Sequence, residues 1–374
     1  MRYVFKKVRY KFLVFIIDSL GYVIFFFPRF FKKNTPLSPK KILVVRVDHI
    51  GDFVCTLPVF ENLKLNFPQS KISVLINSSS VSLAKLSPHI DEIISVNPFW
   101  MQRGNKRLSF REIFKVIREL REQNFDLGFD MRGDFFSIAL MFLGRVRYRV
   151  GYAVTGGGFL LGKNVLYTKN INTVERNFNL LRNIGVPIKK SSIELKFSDE
   201  DKNIVMCMLQ DLSLKEQKSV ILHPFAGTKA KQWSVSKFQE LIDQLRKANF
   251  NIFVIGTKTD TEHYDGVCDV RGRFALSQLA FFIKHVGFFI GLDSGPANIA
   301  AVLDVPTIVI CSGTNIPERW IFIGKNVKLV YRDTDCKPCE LKICPKNKHY
   351  CMEDIGVGEV MGEVDRLIGG YVDK

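Results

Sequence analysis

The sequence predicts an α/β protein built from two doubly wound domains that face each other across a cleft, with a hydrophobic helix before them. A length of 374 residues fits two domains. Short β-branched runs alternate with helical patterns in both halves of the chain. Because most of these runs are apolar throughout, they are typical of parallel strands that helices cover on both faces.

The charge balance points to an anionic partner. The chain has 54 Lys and Arg against 37 Asp and Glu, a net charge of +17, and 47% of its residues are hydrophobic. Residues 1–33 hold eight of the basic residues and only one acidic residue, Asp18. Because much of the surplus lies on this apolar tail and not in a basic domain, we expect no nucleic-acid partner.

The amino-terminal segment, residues 1–35, predicts association with a membrane surface. Its apolar run at 12–27 reaches about 24 Å as a helix, whereas a bilayer core is about 30 Å thick. Basic residues on both flanks also disfavour spanning, so we expect a helix in the interface with its cations on anionic lipid. The alternatives are a helix packed on the protein's own body and a signal peptide, although no small-residue cleavage site follows FFFPRFF.

The first predicted α/β domain occupies residues 40–190, after the turn-rich segment NTPLSPKK. Its helical patterns fill the intervals between apolar runs, as in βαβ units. The predicted strands lie at 42–47, 71–76, 92–96 and 125–130, and the helices at 52–66, 110–123 and 134–143.

The second predicted domain occupies residues 200–374, and the joint lies near 185–200. There NIGVPIKKSS breaks the pattern, and Ser198 before three acidic residues is typical of an N-cap that opens a helix at 199–212. The predicted strands of this domain lie at 220–224, 251–256, 287–293, 307–311 and 327–331.

Ligands of doubly wound sheets bind outside the carboxyl ends of the strands, so the strand-to-helix turns are the places for chemistry. After the first strand, Gly51 lets a ligand approach the backbone and Asp52 stands at the start of a helix. Asp52 is therefore either a functional carboxylate or an ordinary helix-initial acid.

Two turns of the second domain are suited to anions. Thr228 and Lys231 lie in a loop of small and cationic residues after a strand, which is a reasonable phosphate cradle. Asp293 ends another strand, and Ser294 and Gly295 begin the next helix, where free backbone amides attract an anion. Together these turns predict a diphosphate bound without a metal, because no acidic cluster accompanies them.

Other cofactor motifs are missing. No G-x-G-x-x-G follows a predicted strand, and GGFLLGKN at 157–164 has Asn164 where a P-loop needs Ser or Thr. This segment is also followed by strand-like VLYTKNI where a P-loop requires a helix. We therefore predict no cofactor.

A cysteine cluster near the carboxyl end has spacing suited to a structural zinc ion, C-x2-C-x4-C-x6-C. The alternative is four reduced thiols in a loop, and neither interpretation gives the cluster a catalytic part. The cluster consists of Cys336, Cys339, Cys344 and Cys351.

The order of the motifs resembles glycosyltransferase family 9, the bacterial heptosyltransferases of lipopolysaccharide core assembly. The resemblance covers roughly residues 40–370 and implies the GT-B fold, with two Rossmann-like domains. It also implies transfer of a sugar from a nucleotide donor with inversion and without a metal. The motifs are VDHIGD, TLPVFENLKLNFP, FDLGFDMRGD, HPFAGTKAKQW and GLDSGPANIAA, followed by PTIVICSGTNIPERW.

The resemblance assigns roles by position. Asp52 matches the proposed general base and Lys231 the lysine on the donor phosphates, while Asp293, Ser294 and Gly295 match the loop that grips sugar and diphosphate. The remaining donor-side positions follow from the same comparison, since Asp260 stands where the family has Glu near the ribose and Asn298 stands where it has His. Apart from the resemblance, Arg132 is a basic residue suited to acidic groups of the acceptor.

The resulting prediction is a glycosyltransferase at the cytoplasmic face of a bacterial inner membrane that moves a sugar, heptose from ADP-heptose, onto a lipopolysaccharide core or related lipid-linked acceptor. Because Asn298 replaces a histidine, a transferase of the same fold that uses another donor such as a UDP-sugar is the alternative. A catalytically inactive membrane-associated scaffold is the alternative from another class.

Overall fold

The structure is a computed structural model that describes residues 8–24, 36, 38–97, 110–189, 193–212, 218–322 and 324–372. Most basic residues of the predicted membrane-associating tail lie outside the described residues, and so does the end of its apolar run. Part of the predicted joint near 185–200 also lies outside them. The chain divides into two compact units, Met1–Glu194 and Leu195–Lys374.

The first unit contains a six-stranded sheet in the order β3-β2-β1-β4-β5-β6, and all its strand pairs are parallel. The strands are β1 Lys41–Arg46, β2 Lys71–Asn77, β3 Glu92–Val96, β4 Leu127–Asp130, β5 Tyr148–Gly151 and β6 Lys163–Asn164. The helices are α1 Val8–Ile24, α2 Ile50–Val54, α3 Leu57–Asn66, α4 Val81–Ala84, α5 Phe110–Gln123, α6 Phe135–Leu143 and α7 Thr173–Arg182.

The second unit repeats this topology in the order β12-β11-β10-β7-β8-β9, again with parallel pairs. The strands are β7 Lys218–His223, β8 Phe250–Val254, β9 Cys268–Asp269, β10 Phe289–Leu292, β11 Thr307–Cys311 and β12 Val327–Tyr331. The helices are α8 Asp199–Asp211, α9 Val235–Lys247, α10 Leu276–Val286, α11 Gly295–Val302, α12 Pro317–Trp320, α13 Tyr350–Glu353 and α14 Val357–Val372.

Both sheets have the doubly wound order in which the chain starts in the middle, builds outward and then returns to the other side. The predicted α/β class with two doubly wound sheets is therefore confirmed. The order reverses between β1 and β4 in the first sheet and between β7 and β10 in the second. Ligands of such sheets bind at these reversal points, outside the carboxyl ends of the strands.

The predicted helix at 52–66 is wrong in one respect, because it is divided into α2 and α3. Pro58 lies in the first turn of α3 and has no backbone N–H to donate to the preceding turn. Thr56 precedes α3, and its hydroxyl donates to the carbonyl of Asp52 at 2.9 Å. The strand-like run VLYTKNI is likewise not a strand, since β6 ends at Asn164.

Both units have an apolar core around a sheet. Leu43 and Val45 of β1 are fully buried in the first unit, and Ile290 and Leu292 of β10 are fully buried in the second. Among the described helices, none is long and apolar enough to cross a bilayer.

Candidate functional site

Arg46 organises the carboxyl edge of the first sheet at its reversal point. It is the last residue of β1 and only 4% exposed. Its Nη1 donates to the carbonyl of Met131, directly after β4, at 2.8 Å. Its Nε lies 3.2 Å from Asp48 Oδ1, and its Nη2 lies 3.4 Å from Asp52 Oδ1. One guanidinium thus joins the two strand ends and faces two carboxylates.

Asp52 lies in the first turn of α2, where backbone amides stabilise a carboxylate. Burial, and after it the nearby Asp48 carboxylate, raises the pKa of Asp52 to about 7. Three cations oppose this shift, Arg46, Arg132 and Arg176. A carboxylate with a pKa near 7 exists in both protonation states at neutral pH, which suits a group that accepts a proton during a reaction.

The loop after β4 is held by buried carboxylates. Asp130 is fully buried and accepts from the amides of Arg132 and Gly133 at 3.2 and 2.8 Å. Burial, and then the neighbouring Asp134, raises the pKa of Asp130. Asp134 caps α6 by accepting from the amides of Phe136 and Ser137. Arg132 lies between these carboxylates with its side chain 34% exposed, and its Nε is 4.0 Å from Asp134 Oδ2.

The corresponding edge of the second sheet carries an ion pair between its two central strands. Lys231 ends a short helical turn, Lys229–Lys231, that follows β7, and Asp293 follows β10. Lys231 Nζ donates to Asp293 Oδ2. The two side chains are 22% and 13% exposed, so the pair lies at the surface of the edge and not in the core. Lys231 and Asp293 were predicted separately, and the structure brings them into direct contact.

His223 and Ser294 form a second contact across the same strand ends. His223 is the last residue of β7, and its Nδ1 lies 3.0 Å from Ser294 Oγ. Burial lowers the pKa of His223 to about 4, so the ring is neutral at pH 7. Ser294 precedes α11, whose first residues are Gly295 and Pro296, and its own side chain does not cap this helix. The Ser294 side chain therefore accepts no hydrogen bond from the first backbone amides of α11.

The other predicted donor-side residues lie near this edge but differ in their surroundings. Thr228 precedes the turn that carries Lys231, and its carbonyl accepts from the Lys231 amide at 3.0 Å. Asp260 Oδ2 accepts from the amide and hydroxyl of Thr257 at 2.6 and 2.9 Å, which closes its own turn. Asn298 is 3% exposed, and its Oδ1 accepts from the Phe322 amide at 2.7 Å while its Nδ2 donates to the Ser294 carbonyl at 3.2 Å.

The cysteine-rich segment supports these loops. The amide of Cys339 donates to the Gly313 carbonyl at 3.1 Å, and the amide of Ala230 donates to the Lys342 carbonyl at 3.0 Å. All four predicted cysteines are free thiols. Burial raises the pKa of Cys351, and the three other thiols add to the shift. Among the described residues no group of His, Cys, Asp or Glu is arranged to hold a metal ion, and structural zinc at this cluster stays a prediction.

Three residues of these edges were missed in the sequence, Arg46, Asp48 and His223. Arg46 and His223 are polar residues at the ends of apolar strands, in ILVVR and VILH, and this position was the available signal. Both Arg46 and His223 are buried, and Arg46 contacts Asp52 while His223 contacts Ser294.

Comparisons with known proteins agree with this architecture. Residues 113–350 match glycosyltransferase family 9 (heptosyltransferase). The chain is 22% identical over 280 residues to lipopolysaccharide heptosyltransferase 3 of Escherichia coli K12, covering 71% of this chain and 80% of the relative. A family 9 glycosyltransferase from Veillonella parvula superposes with a TM-score of 0.74 at 19% identity, over 88% of this chain and 97% of the other.

The structure of E. coli ADP-heptose lipopolysaccharide heptosyltransferase II has a TM-score of 0.70 at 20% identity and covers 88% and 99% of the two chains. These likenesses confirm the predicted GT-B fold. The family match extends over more than half of the chain, from α5 to α13. The predicted family is therefore confirmed, and the chain belongs to glycosyltransferase family 9.

Proposed function

We propose that this glycosyltransferase moves a heptose from ADP-heptose onto a lipopolysaccharide core or related glycolipid, with inversion at the anomeric carbon and without a metal. Family membership supports the reaction class. Relatives named lipopolysaccharide heptosyltransferases support the sugar and the acceptor class. The name of the E. coli heptosyltransferase II supports ADP-heptose as the donor.

Asp52 carries most of the mechanistic support. Its carboxylate lies at the reversal point of the first sheet, 14% exposed, with a pKa near 7. In the proposed reaction the acceptor hydroxyl oxygen attacks the anomeric carbon while Asp52 takes the hydroxyl proton. Arg46 holds the carboxylate through its 3.4 Å contact and favours the charged form that must accept the proton.

The departing diphosphate takes the electron pair of the broken bond between the anomeric carbon and the phosphate oxygen. Lys231 and the first amides of α11 at Gly295 lie at one edge of the second sheet and offer positive charge to that leaving group. Asp293 holds Lys231 in place before the donor binds. This fixed positive charge performs the electrostatic work that a divalent cation performs in other transferases.

The acceptor is placed by the first unit. Arg132 follows β4, next to the strand that precedes Asp52, and its partly exposed guanidinium suits a phosphate or carboxylate group of a lipopolysaccharide core. We also propose that the protein works at the cytoplasmic face of the inner membrane, where lipid-linked acceptors are made. The excess of basic residues in the segment 1–33 supports attraction to anionic lipid.

A nucleotide screen tests the donor. We expect ADP-heptose and ADP to raise the melting temperature of the protein more than UDP-glucose and UDP do, because a ligand that binds only the folded state stabilises it. A larger shift with the uridine nucleotides would replace ADP-heptose by a UDP-sugar. The absence of any nucleotide-dependent shift would favour the inactive scaffold.

A further inference from the structure

Helix α1 packs on the first unit with one narrow face. Asp18 is 2% exposed, and its Oδ1 accepts from the amide of Gly157 at 2.8 Å. Gly21, one turn later, lies so close to Phe159 that an added Cβ would be 2.5 Å from its ring. Tyr22 meets the same ring edge-to-face at 6.1 Å. The contacted segment is the glycine-rich loop that lacks the P-loop pattern. This loop is therefore the surface on which α1 packs, and we call it the seat of α1.

The loop needs glycines because α1 approaches its backbone. A Cβ at Gly156 would lie 2.7 Å from Val14 Cγ1, and one at Gly158 would lie 2.7 Å from Tyr22 Oη. Gly156 and Gly157 also have φ angles of 103° and 84°, which disfavour other residues. The glycine run is thus explained by the helix that rests on it.

The opposite face of α1 is apolar and exposed, which inverts the usual pattern of a helix on a soluble domain. Asp18, its acidic residue, points inward, whereas large apolar side chains point outward. Seven of them are between 40% and 73% exposed: Phe12, Phe15, Ile16, Ile17, Leu20, Val23 and Ile24. These side chains, with the exposed Ser19 among them, form a largely apolar face, and such a face marks a surface that binds another apolar phase or partner.

We propose that the outward face of α1 binds the surface of an anionic lipid bilayer while its inward face stays seated on the loop 156–159. The first unit itself, with its Asp52 edge, is then fixed to the membrane, and α1 is not a detachable tether. This inference names the surface through which the proposed membrane association acts, and so it rests on that part of the proposed function.

Charge favours lipid over a second copy of the chain. Residues 1–33 combine eight basic residues with the single acidic Asp18, and that carboxylate is already bonded inside the protein. Anionic headgroups complement this excess, whereas pairing two copies through α1 would bring two such segments together. Two observations argue against a helix that crosses the bilayer. Crossing would require α1 to leave its seat, and its 17 residues span only about 26 Å, less than the thickness of a bilayer core.

Binding of the full-length protein to vesicles of phosphatidylcholine and phosphatidylglycerol tests the proposed face. The variant Leu20→Asp/Val23→Asp changes two outward side chains that lie one turn apart. We expect it to lower the partition coefficient by about tenfold or more, since both apolar area and charge complementarity are lost. The matched control Ile204→Asp/Val235→Asp changes two side chains of the second unit that are each 42% exposed, and should bind as the wild type does.

The proposal would be overturned if both double variants lost vesicle binding equally, or if Leu20→Asp/Val23→Asp lost none. So would a wild-type dimer in sedimentation that Leu20→Asp/Val23→Asp converts to monomers, because the occupant would then be a second copy. Transfer to a short soluble acceptor is measured on the same variants. If the wild type bound vesicles but transferred no sugar, the proposed reaction would be contradicted, whereas the proposed binding of α1 to lipid would not be.

Hydrogen exchange of residues 155–162 tests the seat. We expect the Gly157 amide to remain protected on vesicles, because Asp18 still accepts from it. Asp18→Ala should speed exchange in this segment, whereas Asp18→Asn, which keeps an acceptor oxygen, should preserve most of the protection. Loss of protection in the wild type upon vesicle binding would show that α1 leaves the body, and would overturn the fixed orientation.

Discussion

Lys231 donates a charge-assisted hydrogen bond to Asp293, and this contact joins the loops that follow the two central strands of the second sheet. The predicted phosphate-binding lysine is therefore not a free cation in the structure. In the proposed reaction, a donor diphosphate either competes with Asp293 for Lys231 or adds to a pair that is already oriented. Either way the ammonium group is positioned beside the start of α11 before the donor arrives.

Lys231→Ala should weaken ADP binding by about tenfold or more, because a charge-assisted contact to phosphate contributes about 1.5–3 kcal/mol. Isothermal titration of ADP measures this. Lys229→Ala is the matched control, since it removes the same charge from an exposed position in the same turn. Equal affinities of the two variants would show that only the overall charge matters and that the phosphates lie elsewhere.

The pH dependence of kcat/KM should have an acidic limb near pH 7, since Asp52 must be deprotonated to accept a proton and its pKa is about 7. Asp48→Asn removes a neighbouring carboxylate that raises this pKa, so the limb should move to lower pH. Arg46→Met removes a cation that lowers it, so the limb should move to higher pH. If the acidic limb moved in the same direction in both variants, the assigned electrostatics of Asp52 would be contradicted.

Asn298→Ala should reduce the free energy of unfolding by about 1–3 kcal/mol, because it leaves the partly buried amide of Phe322 without its acceptor. Chemical denaturation measures the loss. Both polar groups of Asn298 are engaged within the protein, so we expect KM for the donor to change much less than stability does. A normal unfolding curve with a large rise in KM would place Asn298 on the donor, as its position in the sequence suggested.

His223 should make the protein sensitive to acid. Its folded pKa of about 4 lies below the ordinary value of 6.5, so the unfolded state binds the proton first as pH falls. Between pH 7 and pH 5 this costs about 2 kcal/mol of stability, as an order of magnitude. His223→Gln should lose less stability over that interval than the wild type, and an equal loss in both proteins would show that the acid sensitivity arises elsewhere.

Most strands were predictable because they are short apolar runs, and β3, β11 and β12 begin and end where the pattern places them, whereas β5, β6 and β9 were not predicted. The division of α2 from α3 was missed, although Pro58 was its signal. Residue roles were harder to predict, because they depend on contacts between distant positions. Nothing near Asp18 in the sequence indicates Gly157 as its partner, 139 residues away. Likewise, the pKa of Asp52 depends on burial and on Arg132 and Arg176, which lie far from Asp52 in the sequence.

Product analysis with the wild type and Asp52→Asn tests the central claim most directly. Each protein is incubated with ADP-heptose and a lipopolysaccharide core acceptor, with and without excess EDTA, and the acceptor is weighed by mass spectrometry. We predict that the wild type adds one heptose and releases one ADP in both conditions. Asp52→Asn should bind ADP normally but lose at least about 100-fold in turnover, the scale of a missing general base. Wild-type turnover in Asp52→Asn, or a wild type that leaves the acceptor mass unchanged, would contradict the account.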